Sequence, residues 1–184
     1  MYILAMNRIV VCSDVHGDAS HLALLLDLLV TEKAQALLCT GDLGLERLGL
    51  LKEELFCLPI PLYLVRGNCD QSWQFSHASV ALPPRVLSFS FQGRSIVATH
   101  GDYIRSWVES PIKLQNNDIF VSGHTHRCEL KKVPKGPYVL NPGSLSQPRD
   151  HRKPSYAVIT EKNLVIKELK SGALIAKLPL EPTS

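Results

Sequence analysis

Seven residues of metal-binding type follow directly after predicted strands of this chain. They are Asp14, His16, Asp42, Asn68, His100, His124 and His126. Independent surface turns explain this arrangement poorly, because four of the seven histidines fall at strand ends and two share one Gly-His-Thr-His sequence. A shared metal site explains it, since sites in open α/β sheets form beyond the carboxyl ends of the strands.

Four imidazoles, two carboxylates and one amide form a mixed set of nitrogen and oxygen donors. Such a set favours Mn, Fe, Zn, Ni or Co over Mg or Ca, which prefer oxygen ligands. Seven ligands are too many for one catalytic ion with an open position, but they suit two ions if one carboxylate bridges. Paired divalent ions bind an anion, acidify a water and clamp an in-line displacement at phosphorus. The predicted chemistry is therefore phosphoester hydrolysis.

Hydrophobic runs in the first half of the chain predict strands that alternate with helices. The predicted strands cover residues 9–12, 36–40 and 61–65, and the predicted helices cover residues 21–30 and 46–56. Asp18 and Ser20 are plausible caps of the first helix. This alternation is typical of parallel βαβ units, which bring the carboxyl ends of their strands to one edge.

The second half of the chain has the pattern of hairpins and short buried strands. The pattern predicts one helix at residues 104–114, with Pro111 inside it, and strands at residues 86–91, 94–99, 119–122, 128–133, 138–140, 156–160 and 164–169. The tail after Gly172 fits either an edge strand or a loose segment. Because no repeat or linker interrupts the chain, we expect a single domain over residues 1–184.

The composition is ordinary for a globular protein, with 45% hydrophobic and 20% charged residues. The net charge of +3 suits an anionic ligand, but no basic run with interleaved aromatic residues indicates specific nucleic-acid binding. No apolar run has the length of a membrane span. Asn7 and Arg8 interrupt the apolar residues 1–5 too early for a signal peptide, and Met6 is an alternative start to Met1.

The five cysteines are an odd number and include no Cys-x-x-Cys pair. They are Cys12, Cys39, Cys57, Cys69 and Cys128. This pattern favours reduced, mostly buried thiols of a cytoplasmic protein over a disulfide framework. The sequence leaves open whether the protein forms a homo-oligomer.

Five ordered motifs give the chain a family resemblance. They are Asp14-x-His16, Gly41-Asp42, Gly67-Asn68, His100-Gly101 and Gly123-His124-x-His126. In this order they resemble the motifs of the calcineurin-like metallophosphoesterases. The short chain, Gly67-Asn68-Cys69-Asp70 and Asn141-Pro142-Gly143-Ser144 resemble the small YfcE-type phosphodiesterases within that superfamily. The resemblance implies an α/β fold, a four-layer α/β/β/α sandwich of two packed mixed sheets flanked by helices.

The resemblance also assigns the metal ligands. It implies one ion on Asp14, His16, Asp42 and His126, and a second ion on Asp42, Asn68, His100 and His124, so that Asp42 bridges. The two ions would be divalent transition metals, with Mn first and Ni, Fe, Zn or Co as alternatives. A hydroxide that bridges them would attack phosphorus in line. The implied catalytic residues are Asp42, Asn68, Cys69, His100 and His124.

Cys69 departs from the pattern of most of the superfamily, which has a histidine at this position. That histidine is thought to stabilise or protonate the leaving oxygen, and a thiol is a weak donor. Cys69 is therefore either a poor substitute for the histidine or an inert buried thiol, and the sequence favours neither.

Other polar residues receive secondary interpretations. The loop Asn141-Pro142-Gly143-Ser144 either borders the substrate pocket or is a plain turn. Arg127 and Arg149 lie near site segments and are candidates to bind a phosphate oxygen. The remaining histidines lie off strand ends, so we predict no catalytic role for them; they are His21, His77 and His151.

We conclude that the sequence predicts a dinuclear-metal phosphodiesterase with a small phosphodiester substrate and no membrane partner. The alternative within enzymes is a phosphomonoesterase, including a protein phosphatase, but no extra segment offers a peptide groove. The alternative outside enzymes is a binding scaffold that resembles a retromer subunit with degraded metal ligands. Every ligand position of this chain holds a competent residue, which favours catalysis.

Overall fold

Two β-sheets packed face to face form the centre of the protein, in a computed structural model that describes residues 6–149 and 151–182. The helices are α1 (Ala19–Thr31), α2 (Leu51–Phe56) and α3 (Ser72–His77), and two short 3-10 turns lie at Leu45–Arg47 and Trp107–Glu109. The strands are β1 (Arg8–Cys12), β2 (Ala36–Cys39), β3 (Leu62–Leu64), β4 (Val86–Phe91), β5 (Arg94–Thr99), β6 (Ile119–Val121), β7 (Cys128–Lys132), β8 (Tyr138–Pro142), β9 (Ser155–Thr160), β10 (Asn163–Glu168) and β11 (Leu174–Pro179).

The first sheet has the strand order β11-β10-β9-β1-β2-β3. β1, β2 and β3 are parallel, while β9, β10 and β11 are antiparallel additions on the other side of β1. The carboxyl ends of β1, β2 and β3 therefore meet at one edge, as the alternating pattern predicted. The tail after Gly172 forms the edge strand β11, which decides between the two alternatives that the sequence left open.

The second sheet has the strand order β4-β5-β6-β8-β7. Its central strands β5, β6 and β8 are parallel, and the antiparallel β4 and β7 flank them. The hairpin of β4 and β5 has the predicted bounds. The parallel strands bring a second set of carboxyl ends to the edge of this sheet.

Alternation along the strands determines which side chains enter which layer. Ile9 and Val11 of β1 enter the core between the sheets, while Val10 and Cys12 pack against the helices on the outer face. Leu25 of α1 is fully buried in that outer layer. A strand buried on both faces needs a continuous apolar run, and this is why β1 was easy to identify in the sequence. The predicted layers of two mixed sheets and covering helices are confirmed.

Two predicted helices differ from the observed structure. The helix expected at residues 46–56 is divided into the turn at Leu45–Arg47 and α2, because Gly49 between them has a left-handed φ of +57°. The helix expected at residues 104–114 is wrong. That segment contains only the turn at Trp107–Glu109, and Ser110 before Pro111 is extended, with ψ of 132°. The short helix α3 was not predicted.

The structure assigns no disulfide to the five cysteines, but the prediction that most are buried is wrong. Cys12 and Cys39 are buried, Cys128 is half-buried, and Cys57 and Cys69 are exposed. The two exposed thiols follow the ends of α2 and β3, where the apolar runs have already stopped. The apolar residues 1–5 lie outside the described residues.

Candidate metal centre

The seven predicted ligand residues all follow parallel strands. The first sheet supplies Asp14 and His16 after β1, Asp42 after β2 and Asn68 after β3. The second sheet supplies His100 after β5 and His124 and His126 after β6. The two sheets therefore contribute from opposite sides to one place where their carboxyl edges meet.

Asp14, His16 and His126 form what we call the first half of the centre. His126 Nε2 lies 3.2 Å from Asp14 Oδ1 and 3.2 Å from His16 Nε2. His16 Nε2 lies 3.8 Å from Asp14 Oδ1. Three ligand-type atoms from three different side chains thus face one point, and this trio can hold a metal ion.

Asn68, His100 and His124 form the second half. His100 Nε2 lies 3.1 Å from Asn68 Oδ1, and the ring of His124 packs edge-on against the ring of His100 at 5.1 Å. The backbone N–H of His124 donates to Asp14 Oδ2 at 3.0 Å, which connects this half to the first. His100 is completely buried, whereas Asn68 is exposed.

Asp42 lies between the two halves. Its Oδ2 is 3.8 Å from His16 Nε2 and 3.3 Å from His100 Nε2, so one oxygen faces a histidine of each half. Its Oδ1 accepts a hydrogen bond from the backbone N–H of Cys69 at 2.8 Å. The carboxylate is therefore fixed in an orientation that suits a bridging ligand.

Backbone carbonyls determine which ring nitrogens face the centre. His100 Nδ1–H donates to the carbonyl of Thr40, and His126 Nδ1–H donates to the carbonyl of Gln147, each at 2.7 Å. In the neutral form of each ring, Nε2 is therefore the unprotonated nitrogen, and it points at the other ligand residues. Neither carbonyl partner could be predicted from the sequence, because nothing in a residue's type marks its backbone carbonyl as a partner.

The backbone at the centre is held in a sparsely populated conformation. The residues with left-handed φ include Asp14, His16, Asp42, His124 and His126. Asp and His tolerate this region better than most residues, but each such residue still costs on the order of 1 kcal/mol or more. Five strained residues in one small cluster indicate that the surrounding structure holds the backbone in a conformation that positions the ligand side chains, at a cost in local stability.

Asp70 fixes the loop after β2 to the loop after β3. Its buried carboxylate accepts hydrogen bonds from the backbone N–H groups of Asp42, Leu43 and Gly67 at 2.8–2.9 Å. Gly67 also allows the loops to approach, since a Cβ at this position would lie 2.1 Å from Asp42 Oδ1. Asp70 is a positioning residue, a role that the sequence Gly67-Asn68-Cys69-Asp70 did not indicate.

Asn141 fixes the loop that carries His124 and His126. Its buried Nδ2 donates to the carbonyl of Gly123 at 2.8 Å and to Thr125 Oγ1 at 3.1 Å, and its Oδ1 accepts from Gly143 N–H. Ser144 Oγ, in the same loop, donates to the carbonyl of Asp14 at 3.0 Å. The segment Asn141-Pro142-Gly143-Ser144 thus fixes the backbone of the two loops that carry Asp14, His124 and His126.

The charges of the two most buried ligands are strongly coupled. Burial by itself raises the pKa of Asp42, but the hydrogen bond and the charge of His100 outweigh it and lower that pKa to about 2. Burial by itself lowers the pKa of His100, but the contact with Asp42 outweighs it and raises that pKa to about 9. Without a metal ion the two side chains therefore form an ion pair at neutral pH.

The histidines of the first half differ from one another. Burial lowers the pKa of His16, and this outweighs the nearby carboxylates. The close Asp14 carboxylate raises the pKa of His126 against the effect of burial. His16 is therefore neutral, and ready to bind a cation, at a lower pH than its neighbour.

The residues present fit divalent metal ions. Asp14 Oδ1 is buried and has no hydrogen-bond donor, and the neutral forms of the histidines that face it also direct lone pairs at it. Opposed acceptors in a buried place repel unless a cation lies between them. Asp14 and Asp42 also group with His100 as a second set of possible ligands. The mixed nitrogen and oxygen donors are those of a transition-metal site.

Cys69 lies at the centre but is exposed. Its Sγ groups with ligand atoms of His16 and Asp42, and it accepts a contact from Asn68 Nδ2 at 3.3 Å. Partial burial of the thiol and the negative charge of Asp42 raise the pKa of Cys69 to about 11. At neutral pH it is therefore a protonated and weakly acidic group.

The secondary candidates differ in whether they contact the segments that carry the ligand residues. Arg149 donates its backbone N–H to the carbonyl of His126, and Arg127 donates its own to Thr125 Oγ1; both are exposed. His21 instead contacts Asp18 at 2.8 Å in the first turn of α1, and Asp18 caps that helix as predicted. His77 and His151 occur in none of the candidate metal-binding groups of the described residues; they lie at the end of α3 and in an exposed loop.

Within the described residues, no helix is both long and apolar enough to cross a membrane.

Comparisons with known proteins place the chain in a family. Phosphodiesterase YfcE of Escherichia coli strain K12 is 26% identical over 190 residues, which cover 96% of this chain and all of the relative. A solved structure of Yfce, a phosphoesterase from E. coli, superposes with a TM-score of 0.79 at 23% identity and covers 95% of this chain and 100% of its own. A Vps29 mutant from Entamoeba histolytica superposes with a TM-score of 0.67 at 25% identity and covers 95% and 99%. The model of the calcineurin-like phosphoesterase superfamily domain matches residues 7–164, and the chain belongs to that superfamily.

Proposed function

We propose that this protein is a phosphodiesterase that uses two divalent metal ions, one in each half of the centre. The observation that carries the proposal is the position of Asp42 Oδ2, which faces His16 of the first half and His100 of the second. A carboxylate oxygen with histidine nitrogens on both sides suits a bridge between two ions.

Family membership identifies the chain as a phosphoric ester hydrolase, and the finer question is which ester it cleaves. The relative that matches over its full length is named a phosphodiesterase, which favours a diester. Cys69 favours a diester as well. A diester with an activated leaving group needs little proton donation, whereas an alkyl monoester needs more, and a thiol of raised pKa donates poorly.

Each ligand residue has a proposed role. In the first half Asp14, His16 and His126 hold one ion, and in the second half Asn68, His100 and His124 hold the other. When bound, such ions supply Lewis acidity for phosphorus chemistry and lower the pKa of a coordinated water. The carbonyls of Thr40 and Gln147 keep the ring nitrogens oriented, so little reorganisation is required when substrate binds.

The metal we propose first is Mn, with Ni, Fe, Zn and Co as alternatives, because the donors are mixed nitrogen and oxygen atoms. The substrate we propose is a small diester in the cytoplasm. A single domain of this size, with a net charge of only +3, offers no feature that favours a nucleic acid, a membrane or a protein as partner.

The competing function is the binding scaffold that the sequence left as the alternative outside enzymes. The scaffold hypothesis predicts that metal ligands are dispensable. In this chain all seven positions hold competent donors, and five of them are in strained backbone conformations that a scaffold would not need. These features support catalysis.

The test is metal content followed by a substrate series. Elemental analysis of the Mn²⁺-loaded protein should find two ions per chain. Bis(p-nitrophenyl) phosphate should be hydrolysed with a higher kcat/KM than p-nitrophenyl phosphate, which has the same leaving group and one more negative charge. Two bound ions without turnover of either ester would favour the scaffold, and a preference for the monoester would replace diesterase by monoesterase.

A further inference from the structure

Tyr103 presents a large aromatic ring to solvent three residues after His100. Its exposed fraction is 77%, although a tyrosine ring gains free energy from burial. The chain has five tyrosines, and two of them, Tyr138 and Tyr156, are fully buried in the core. Tyr103 thus keeps a large ring in solvent on the segment after β5, the segment that begins with His100.

Arg85 lies at the same end of the hairpin of β4 and β5 as the buried ligand candidate His100. Val86 of β4 and Thr99 of β5 are the last pair of the antiparallel ladder at that end, and Arg85 and His100 are the residues that directly adjoin this pair.

Leu87 and Phe89 of β4 pack with Ile96 and Ala98 of β5 in the core between the two sheets. Arg85 precedes β4, just beyond the end of this core, and its side chain is half-exposed. The backbone N–H of Arg66 also donates to the carbonyl of Pro84 at 2.9 Å, which joins this segment to the loop that carries Asn68.

Arg85 holds one side of the Tyr103 ring. Its Nη1 donates to Asp102 Oδ2 at 3.1 Å, and its guanidinium carbon lies 5.9 Å from the centroid of the ring. This is the geometry of a cation–π contact. Since the ring is mostly exposed, its other face remains available to a ligand.

We propose that Tyr103 binds the aromatic ester group of the substrate, so that the preferred substrates are aryl or nucleoside phosphodiesters. Arg85 and Asp102 are positioning residues that hold the ring beside the second half of the centre. This proposal rests on the proposed function for its phosphate-binding site. A stacked aromatic group adds affinity through its ring, whatever the chemistry at phosphorus.

Two phosphonates test the proposal without any turnover. Phenylphosphonate and methylphosphonate carry the same anionic group, and their P–C bonds are not hydrolysable esters. Isothermal titration of the Mn²⁺-loaded protein should show phenylphosphonate bound about tenfold more tightly than methylphosphonate. Tyr103→Ala should abolish that preference and leave the affinity for methylphosphonate within about twofold, and Tyr103→Phe should retain the preference because the ring is kept.

Controls separate a local role from a general one. Val30→Ala changes a residue that is 81% exposed on the last turn of α1, at the opposite end of β1 from the centre, and should alter neither affinity. Arg85→Met should weaken the phenyl preference about threefold, and Arg85→Lys should restore part of it because a cation remains over the ring.

The proposal is overturned if the wild type does not bind phenylphosphonate more tightly, or if Tyr103→Ala keeps the preference. A preference that is lost in Trp73→Ala instead would assign the aromatic contact to α3. Failure of the proposed function looks different: the phenyl preference and its loss in Tyr103→Ala persist, but no diester is hydrolysed.

Discussion

The two halves of the metal centre use similar ligands in different surroundings. The second half contains His100, which is fully buried and whose ring lies within 3.3 Å of both Asn68 and Asp42. The first half contains His16, whose side chain is 18% exposed and lies 3.8 Å from each carboxylate. His100 is thus more deeply buried and closer to the bridging candidate Asp42 than His16 is.

This difference affects how each half accepts a cation. The pKa of His100 is raised to about 9, so a metal ion in the second half must displace a proton at neutral pH. The pKa of His16 is lowered, so the first half has one ring that is already neutral. Burial alone does not make a ligand ready to bind, since the charge of the carboxylate beside it decides the protonation state.

Removal of Asp42 should weaken metal binding in both halves of the centre. Asp42→Ala takes away the oxygen that faces both, so elemental analysis should find neither ion at stoichiometric occupancy. The diesterase kcat/KM should fall by about 10³-fold or more, because several kcal/mol of transition-state stabilisation by metal ions is lost.

Two matched variants control this experiment. His126→Ala should remove mainly the ion of the first half, and Asp27→Asn, an exposed carboxylate on α1, should remove none. Retention of one full ion in Asp42→Ala would show that the halves are independent and that Asp42 does not bridge.

Substitution of Asn141 should weaken both halves of the centre, because the loop that it fixes carries His124 and His126. Asn141→Asp keeps the acceptor for Gly143 N–H but loses the two donations to Gly123 and Thr125. Affinity for each ion should fall about 10–100-fold, as is usual when a group that orients a ligand is lost. Stepwise Mn²⁺ titration measures this, and unchanged affinity for both ions would contradict the role of Asn141 in fixing this loop.

The proton of His100 provides the pH test of the comparison. Mn²⁺ binding to metal-free protein at pH 7.5 should release about one proton from the second half. Its affinity should rise with pH until about 9, the pKa of His100, and then level off, because above that pH the ring is already neutral. Titration calorimetry in two buffers of different ionisation enthalpy counts the protons. His100→Gln should lose the release; an unchanged release would assign the proton to another group.

How well the sequence predicted the centre depended on the kind of signal. Asp42 and His100 were identifiable because each follows a run of buried, β-branched or apolar residues, and periodicity marks where such strands end. The sequence could not reveal that Thr40 and Gln147 orient two of the histidines, since these contacts use backbone atoms brought together by tertiary packing. The left-handed backbone at the ligands was equally invisible, because local preference argues against it.

The fold shows the same division. β1 and α1 carried strong periodic signals and were predicted well, while the segment at residues 104–114 was given a helix that does not form. Its apolar residues Ile104 and Ile112 do pack on the outer face of the second sheet, with Trp107 between them. Their spacing resembles that of the apolar face of a helix, but the segment that covers the sheet is irregular. A hydrophobic pattern shows that a segment is buried, and Pro111 was the local signal against a helix.

The smallest expected effect concerns Cys69, which contacts Asn68 of the second half and groups with His16 of the first. With its pKa raised to about 11, the thiol is protonated but is a poor acid at neutral pH. Cys69→Ala should therefore change aryl-diester hydrolysis by only a few-fold, because little of the 10²–10⁴-fold typical of general acid catalysis is lost.

Cys69→His should shift the ratio of kcat/KM towards alkyl monoesters, whose leaving oxygen needs a proton. Steady-state kinetics on matched aryl and alkyl mono- and diesters, with metal content measured in each variant, provide the comparison. If Cys69→His leaves the ratio unchanged while both ions remain bound, position 69 does not control leaving-group chemistry. Substrate preference would then have to come from residues that contact the ester groups themselves.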